Sequence, residues 1–499
     1  MDELEREHDY TELGNAKRFV AISGDNYKWV PDVKQWFKWT GTKWTIDEDQ
    51  SVVREIEYVL DSIKEESTPL LEQLKSLSEN PDHTSSGSHA KKQYDTVKKQ
   101  LRESEAWYLR SQSAKSIQAM FSLAQSQKGM TVSYTTFDSK GHYLGVENGV
   151  VDLRSGKLIT GDKRYMLTKS SQYHYDPEAK CPKWEELIDT VMQGDADLQQ
   201  FLQVLLGSGA VGTKSKWFML FYGEKGGNGK STVVDTVAAL LGDYSIIGDA
   251  AILTENRSNT EYHLASLKGS RFVIFNETKK EDVNLAEHLI KMMTDSGEIV
   301  GRFPAGRPFS FQPVFTPVFC VNHLPGTSMD PAVWRRLLVV PFNHIFPKNE
   351  QNPRFVEEIL KEEASGILNW IIEGAKQFIA EGLNPPKVLL ESIQSAKTEV
   401  DVLSQFIGET CSEIDGERVK VNDLRTKYIR WAKDNGYRRE PSARTFVRDL
   451  KDRGYEVRMS TGHQNYVFGL KLGIDPKKEL KNDQSNVTNL MDLIKDRSI

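Results

Sequence analysis

The chain has 499 residues, enough for about three domains, and its 38% hydrophobic and 27% charged residues are typical of a globular protein. No apolar run approaches the ~20 residues that span a bilayer, and the acidic start MDELEREHDY is not a signal peptide, so we expect a cytoplasmic protein with no membrane partner. The net charge of −6 excludes a wholly basic surface, and the three distant cysteines form neither a disulfide framework nor a metal pattern.

The first part of the chain, residues 1–205, is predicted to be a mixed α+β domain. Aromatic residues alternating with polar ones predict a small β unit near the N-terminus, whose tryptophans we interpret as core, with base stacking as the alternative. The later segments are a helical stretch that HTSSGSH divides, a set of short strands, and another helix: 51–130, 132–175 and 183–210.

The segment from Trp217 to Leu241 has the order strand, glycine-rich turn and helix that a phosphate-binding loop requires. Lys230 is predicted to reach the β- and γ-phosphates of ATP, and the Ser231 hydroxyl to hold Mg²⁺. The strict pattern requires glycine where Glu224 stands, so either the loop is one residue longer or Gly226 takes that role. The alternative is a glycine-rich turn that caps an ordinary helix. The predicted nucleotide-binding residues are Gly226, Gly227, Asn228, Gly229, Lys230, Ser231 and Thr232.

A second nucleotide signature is RFVIFNET, an apolar strand that ends in Asn276 and Glu277. Ligands of open parallel sheets lie at the carboxyl ends of strands, so Glu277 is predicted to lie beside the phosphates and Mg²⁺, where it orients or deprotonates the attacking water. The alternative is a strand that happens to end in two polar residues. A third strand ends in Asn322, which we expect to sense the γ-phosphate or to hold the attacking water. Arg335 and Arg336 follow, as an arginine finger or as surface arginines.

Two further segments have the composition of nucleic-acid contacts. Residues 299–315 form two extended pieces around Pro304-Ala305-Gly306, which predicts a hairpin. From Glu417 to Lys471, 14 Lys and Arg stand against 7 Asp and Glu, a local charge of +7.

This C-terminal segment reads as two helices and a two-stranded wing, a winged helix. Ser442 is predicted to cap its second helix, where Arg444, Arg448 and Lys451 share one face and would contact phosphates in the major groove. The alternative is a solvated helix face on a packing module.

The ordered motifs resemble superfamily 3 helicases, in particular the poxvirus-type primase–helicases of phages, plasmids and mobile elements. The motifs are GGNGKS, FNE, IKMMTD, Arg302, VNHLP and WRR, and the likeness extends to LGVENGVVDLR, YHYDP, GNAKR and the segment from Trp36 to Trp44. It covers residues 10–472. One departure is Thr294-Asp295-Ser296-Gly297-Glu298, where the family often has Thr-Gly-Gly-Asp.

The resemblance implies an AAA+-type ATPase that assembles as a homo-oligomeric ring, a hexamer, with ATP between neighbouring subunits. It implies Glu277 as the catalytic acid, Asn322 as sensor 1, and Arg335 or Arg336 acting on the adjacent subunit's ATP. It also implies that the hairpin grips one DNA strand in the ring channel, through Arg302, Arg307 and Phe303, with Lys291 as support.

These expectations give an α/β fold with an AAA+-type P-loop core, a mixed α+β N-terminal domain and a C-terminal winged helix. Its parts are the N-terminal domain, the ATPase core, a helical lid or linker, the winged helix and a polar tail: 1–205, 206–345, 346–408, 409–473 and 474–499. The expected function is an ATP- and Mg²⁺-dependent DNA helicase of a virus or mobile element, acting on single-stranded and duplex DNA in the cytoplasm of a host cell, bacterial for a phage. A separate primase or polymerase is expected to supply primers. The alternatives are an origin-binding replication initiator and a nucleotide-switched scaffold.

Overall fold

The computed structural model forms two compact units, residues 1–175 and 176–499. It describes residues 9–253, 260–276, 285–295, 297–302, 308–324, 331–435, 437, 440–460 and 464–473. The boundary between the units lies before the one expected at residue 205, because the helices over 182–208 pack within the second unit.

The first unit combines helices with two small antiparallel sheets, each of three strands in sequential order. The helical stretch divides at the predicted HTSSGSH segment, which confirms that prediction. The elements, in chain order, are α1 (Glu12–Ser23), β1 (Tyr27–Val30), β2 (Gln35–Trp39), β3 (Trp44–Ile46), α2 (Ser51–Arg54), α3 (Ile56–Ser78), α4 (His89–Ser111), α5 (Ala114–Ala124), β4 (Tyr143–Val146), β5 (Gly149–Asp152) and β6 (Lys157–Ile159).

Buried polar contacts fix α1 against the long helices of this unit. Arg18 is 1% exposed and donates to Glu66 at 2.6 Å, which joins α1 to α3. Asn15 accepts from the Trp107 indole at 3.0 Å and so joins α1 to α4. A buried charge is tolerated only when it is paired, so this guanidinium depends on its carboxylate partner.

The second unit is built on a parallel sheet. Its elements up to the C-terminal segment are α6 (Pro182–Val191), α7 (Ala196–Ser208), β7 (Phe218–Tyr222), α8 (Lys230–Leu241), β8 (Ser245–Gly248), α9 (Thr260–Ser266), β9 (Phe272–Asn276), α10 (Glu287–Thr294), β10 (Ile299–Arg302), β11 (Pro308–Phe311), β12 (Thr316–Val321), α11 (Pro331–Trp334), β13 (Leu337–Pro341), α12 (Phe355–Glu381) and α13 (Lys387–Val400).

Five parallel strands are arranged in the order β13-β7-β12-β9-β8, which confirms an α/β fold with a parallel sheet. The central strands are apolar and buried along nearly their whole length, as in parallel sheets covered on both faces. Val321 pairs with Tyr222, and Cys320 pairs with Asn276. The carboxyl ends of β7, β12 and β9 therefore meet at one edge of the sheet.

Helix α12 connects the sheet to the helices that precede it. The buried Glu363 carboxylate accepts from the backbone N–H groups of Lys183 and Trp184, both at 3.1 Å, and so satisfies the first turn of α6. The Gln203 side chain of α7 donates to the Trp370 carbonyl at 3.0 Å. These contacts place α6 and α7 in the second unit.

The C-terminal segment has its own apolar core, to which Leu403, Phe406 and Ile407 of the first helix contribute. Its packing therefore begins before residue 409. The elements of this segment, in chain order, are α14 (Val402–Thr410), β14 (Cys411–Lys420), α15 (Val421–Asp434), α16 (Ala443–Asp452), β15 (Val457–Ser460) and β16 (Gln464–Leu472). The three strands form an antiparallel sheet in the order β14-β16-β15, and the three helices pack with it.

Candidate nucleotide site

The glycine-rich loop joins the carboxyl end of β7 to the first residue of α8, Lys230. Gly227 and Gly229 have φ angles of +80° and +82°, a conformation that glycine adopts without steric cost. Gly229 is the N-cap residue of α8. The backbone thus delivers the positive end of the helix dipole to the sheet edge where the three strands end, an arrangement suited to phosphate.

The loop requires glycine at its first position, which is Gly223. A Cβ atom there would lie 2.0 Å from the Asn228 amide nitrogen and 2.6 Å from the Phe342 carbonyl oxygen. A Cβ atom on Gly226 would meet nothing within 4 Å, and Gly226 is not among the glycines with positive φ. Of the two alternatives left open by the sequence, the structure supports the longer loop.

Lys230 lies at the centre of the site and is 6% exposed. It donates to the Gly223 carbonyl at 3.1 Å, to the Asn228 side-chain oxygen at 2.9 Å and to the Asn322 side-chain oxygen at 3.1 Å. These three acceptors are neutral oxygens, and they orient the ammonium group. The structure thus brings together Lys230, Asn228 and Asn322, which the sequence places up to 94 positions apart.

The side chains on the first turns of α8 fit a metal-bound nucleotide. Ser231 is exposed, and Thr232 is partly exposed. Asp235 follows Ser231 by four residues and therefore lies on the same helix face. Burial raises the pKa of the Asp235 carboxyl group above its ordinary value. Asp235 was not among the predicted site residues, although an acidic residue within the largely apolar run from Val233 to Leu241 was a signal for it.

The second nucleotide signature is described only up to Asn276, which is exposed at the end of β9. Glu277, the predicted catalytic acid and metal ligand, lies outside the described residues. Its neighbour Asn276 pairs with Cys320, two positions before Asn322, so the strand end is at the same sheet edge as Lys230. The role of Glu277 stays a prediction.

The two predicted arginines have different surroundings. Arg336 donates to Asp295 at 3.0 Å and also to the Ala332 carbonyl, and its side chain is 13% exposed. Arg335 is exposed to solvent. Asp295, in the segment that departs from the family's pattern, is thus a partner of Arg336.

Both arginines lie at the opposite end of the sheet from the glycine-rich loop. They precede β13, whose first residue pairs with Phe218 at the start of β7, whereas the loop begins after Tyr222. At ~3.3 Å per residue, β7 separates the two ends by about 13 Å. Neither arginine is therefore placed to reach a phosphate held by Lys230 of its own chain.

The predicted hairpin is confirmed in the described part of residues 299–315. Strands β10 and β11 pair antiparallel, with Ile299 opposite Phe311 and Arg302 opposite Pro308. Arg302 is exposed at the outer end of β10. Lys291 is partly exposed on α10. Phe303, Arg307 and the residues between them lie outside the described part of the chain, so the proposed contact of Phe303 and Arg307 with DNA stays a prediction.

The predicted basic face of α16 is present. Arg444, Arg448 and Lys451 are exposed, whereas Phe446 and Leu450 on the other face are buried. The Ser442 hydroxyl accepts from the Thr445 N–H at 3.1 Å, which confirms the predicted cap. This face presents three cations to solvent on one rigid helix.

Comparison with known proteins finds relatives over both units. Residues 16–193 match the family described as D5 N terminal like, and residues 221–336 match a family of unknown function, DUF5906. A protein of Acanthamoeba polyphaga mimivirus, named as a "Putative helicase", is 27% identical over 380 residues, which are 70% of this chain and 39% of that protein. The chain thus spans about two fifths of the length of that relative.

Among solved structures, two apo forms of the NrS-1 C-terminal region resemble the chain with TM-scores of 0.45 and 0.44. Both are 12% identical to it; they cover 93% and 94% of this chain and 100% of their own. In the part of the chain that the structure describes, no helix has the length and hydropathy needed to cross a bilayer.

Proposed function

We propose that this protein is an ATP-dependent DNA helicase of a virus or mobile genetic element, which acts as a hexameric ring and translocates on one strand. One observation carries the proposal: a buried lysine ammonium group lies between a glycine-rich loop and Asn322 at the edge of a parallel sheet. The D5-like match and the name of the mimiviral relative support a protein of the primase–helicase type.

The chain's own residues account for nucleotide binding. The positive φ angles of Gly227 and Gly229 shape the loop, and Lys230 holds the β- and γ-phosphates. In this proposal the exposed Ser231 hydroxyl holds Mg²⁺, and Asp235 lies one helical turn after it. The hydrogen bond from Lys230 to Asn322 supports the proposed role of Asn322 as a sensor of the γ-phosphate. When bound, ATP supplies the anhydride bond whose hydrolysis drives movement.

The positions of Lys230 and Arg335 at the two ends of the sheet support the proposed ring. Because Arg335 lies about 13 Å of strand away from the loop of its own chain, its proposed role requires a neighbouring subunit. A head-to-tail interface that repeats by rotation closes into a ring and brings Arg335 of one subunit to the nucleotide of the next. Arg336 forms an ion pair with Asp295, so in this proposal it stabilises the segment that carries Arg335 and does not act as the arginine finger.

The proposed DNA contacts are of two kinds. The hairpin of β10 and β11 carries Arg302 at its outer end and grips one strand in the channel. The order of elements from α14 to β16, with the sheet order β14-β16-β15, supports a winged helix. Its helix α16 then contacts duplex phosphates through the basic face.

The experiment is ATP hydrolysis and strand displacement by the purified chain on forked duplexes with 3′ or 5′ single-stranded tails. We expect hydrolysis stimulated by DNA, displacement with one tail polarity, and loss of both with Lys230→Ala. Lys361→Ala, an exposed lysine of α12, is the matched control and should keep both activities. Hydrolysis without strand displacement on either fork would contradict the helicase proposal.

A second candidate function, an origin-binding initiator, is favoured by the basic face of α16. It predicts that Arg444→Ala and Arg448→Ala remove protection of one defined DNA sequence in a footprint of the full chain. If a helicase uses this face for general duplex contact, the same variants should lose affinity equally for all DNA sequences, and their binding should depend less on salt than that of the wild type.

A further inference from the structure

The first unit contains a groove of about 1000 Å³ that the proposed ATPase and DNA contacts do not use. It lies between the β1–β2 hairpin with the segment after it and helix α5, and its size is at the upper end of ~300–1,000 Å³ ligand pockets. Two tryptophans, two lysines and four glutamines are among its lining residues: Trp29, Trp36, Lys34, Lys115, Gln35, Gln50, Gln118 and Gln125.

The two tryptophans of the groove are only partly buried. Trp44, elsewhere in the same β unit, is 1% exposed and belongs to the core, as the sequence predicted. Trp29 and Trp36 instead line the groove with their ring centroids 5.5 Å apart and their planes at 61°. Trp36 also contacts Phe19 edge-on at 6.0 Å, which anchors its ring to the core. The groove thus has aromatic surface on a rigid support.

The charge of the groove is positive. Of the lining residues, all within the described part of the chain, Lys34, Lys115 and Asp47 are charged, and both lysines are exposed. The Asp47 carboxylate is 6% exposed and already accepts from the N–H groups of Ser51 at 3.0 Å and Val52 at 2.9 Å. It also lies 3.3 Å from the Lys38 ammonium group. Asp47 therefore does not offset the two lysines.

We propose that this groove binds single-stranded nucleic acid. Unpaired bases would stack on Trp29 and Trp36, because every base has an aromatic face, and Lys34 and Lys115 would neutralise phosphates. The glutamine side chains can both donate to and accept from exposed base edges. Paired bases cannot offer their faces in this way, so the groove favours single strands over duplexes. The groove does not depend on the ATPase site.

The test measures binding of labelled oligothymidylate, and of an abasic oligomer of equal length, to the full chain without nucleotide. Trp29→Ala should weaken thymidylate binding about tenfold, the effect of roughly one stacked base, and leave abasic binding unchanged. The double variant Lys34→Gln/Lys115→Gln should lower the slope of log affinity against log salt by about 1.4, which corresponds to two lost phosphate contacts on a single strand. Neither result involves ATP hydrolysis, so the outcome is independent of the proposed helicase activity.

The matched control is Lys75→Gln/Lys92→Gln, two exposed lysines near the connected ends of α3 and α4, outside the groove. It should leave the slope unchanged. Cross-linking of a 5-iodouracil oligonucleotide should label peptides of residues 29–53 or 114–125. Any of three results would overturn the proposal. The first is cross-linking found only beyond residue 175, and the second is an unchanged slope of log affinity against log salt in Lys34→Gln/Lys115→Gln. The third is that polyglutamate competes equally well with the thymidylate and the abasic oligomer.

Discussion

Replacing Arg335 with alanine is expected to abolish ATP turnover while leaving the fold and nucleotide binding intact. The side chain is exposed, and it lies at the opposite end of β7 from Lys230, about 13 Å of strand away. An arginine finger contributes about 10³–10⁵ in rate, so its loss should raise the barrier by about 4–7 kcal/mol. The measurement is phosphate release under saturating ATP and DNA.

Arg336→Ala separates a catalytic from a structural effect. Its partner Asp295 is 55% exposed, so the ion pair contributes only about 1 kcal/mol to stability. We expect a lower melting temperature from this variant and a far smaller loss of turnover than from Arg335→Ala. The two neighbouring arginines thus serve as each other's control.

Mixing Arg335→Ala with Lys230→Ala tests whether the site is shared between subunits. Only an interface that joins an intact Lys230 to an intact Arg335 can work, and random equal mixing makes about a quarter of interfaces competent. Turnover should therefore return to about a quarter of the wild-type value for independent sites. Native mass spectra that show mixed rings together with no recovered turnover would refute the shared site, as would normal hydrolysis by Arg335→Ala alone.

Three further predictions concern the loop, the C-terminal segment and the cysteines. Gly223→Ala should weaken binding of a fluorescent ATP analogue at least tenfold, because its Cβ would lie 2.6 Å from a backbone carbonyl, whereas Gly226→Ala should bind normally. Arg453→Ala should destabilise the C-terminal segment by about 3 kcal/mol, since the buried Asp401 carboxylate loses its cationic partner and keeps, among the described residues, only its hydrogen bonds from Ser404; hydrogen exchange of that segment measures the loss. Burial raises the pKa of Cys320 to about 12 from an ordinary value of 9.0, so its thiol favours the folded state fully below pH 9 and loses that contribution as the pH rises toward 12.

Each of these has a result that would contradict it. Equal nucleotide affinity of the two glycine variants would remove the steric argument for the longer loop. If the hydrogen-exchange rates of the C-terminal segment are unchanged in Arg453→Ala, the ion pair with Asp401 does not hold α14 against α16. Rapid reaction of any of the three buried thiols with a thiol reagent at pH 8, before unfolding, would contradict their burial.

Local patterns in the sequence were sufficient for several elements. The strand–loop–helix around Lys230, the hairpin of β10 and β11 and the capped basic helix α16 depend on residues close together in the chain, and the structure confirms all three elements. Alternation, glycine placement and caps act over a few residues, which is why these patterns are readable without a fold.

Other features depend on contacts between distant segments. The choice between Gly223 and Gly226 follows from the Phe342 carbonyl, more than a hundred positions away. The assignment of α6 to the second unit follows from Glu363, whose buried carboxylate caps it across 180 positions. Propensity and periodicity contain no information on such pairs.

The chemical groups of the site are readable from local patterns: a lysine after a glycine-rich turn, polar residues at strand ends, and cations on one helix face. Which of these groups meet depends on the fold, because the parallel order β13-β7-β12-β9-β8 brings Asn322 to Lys230 and places Arg335 at the opposite end of the sheet. The physical reason is the register of the strands, which is set by the burial of side chains over the whole sheet rather than by any one segment.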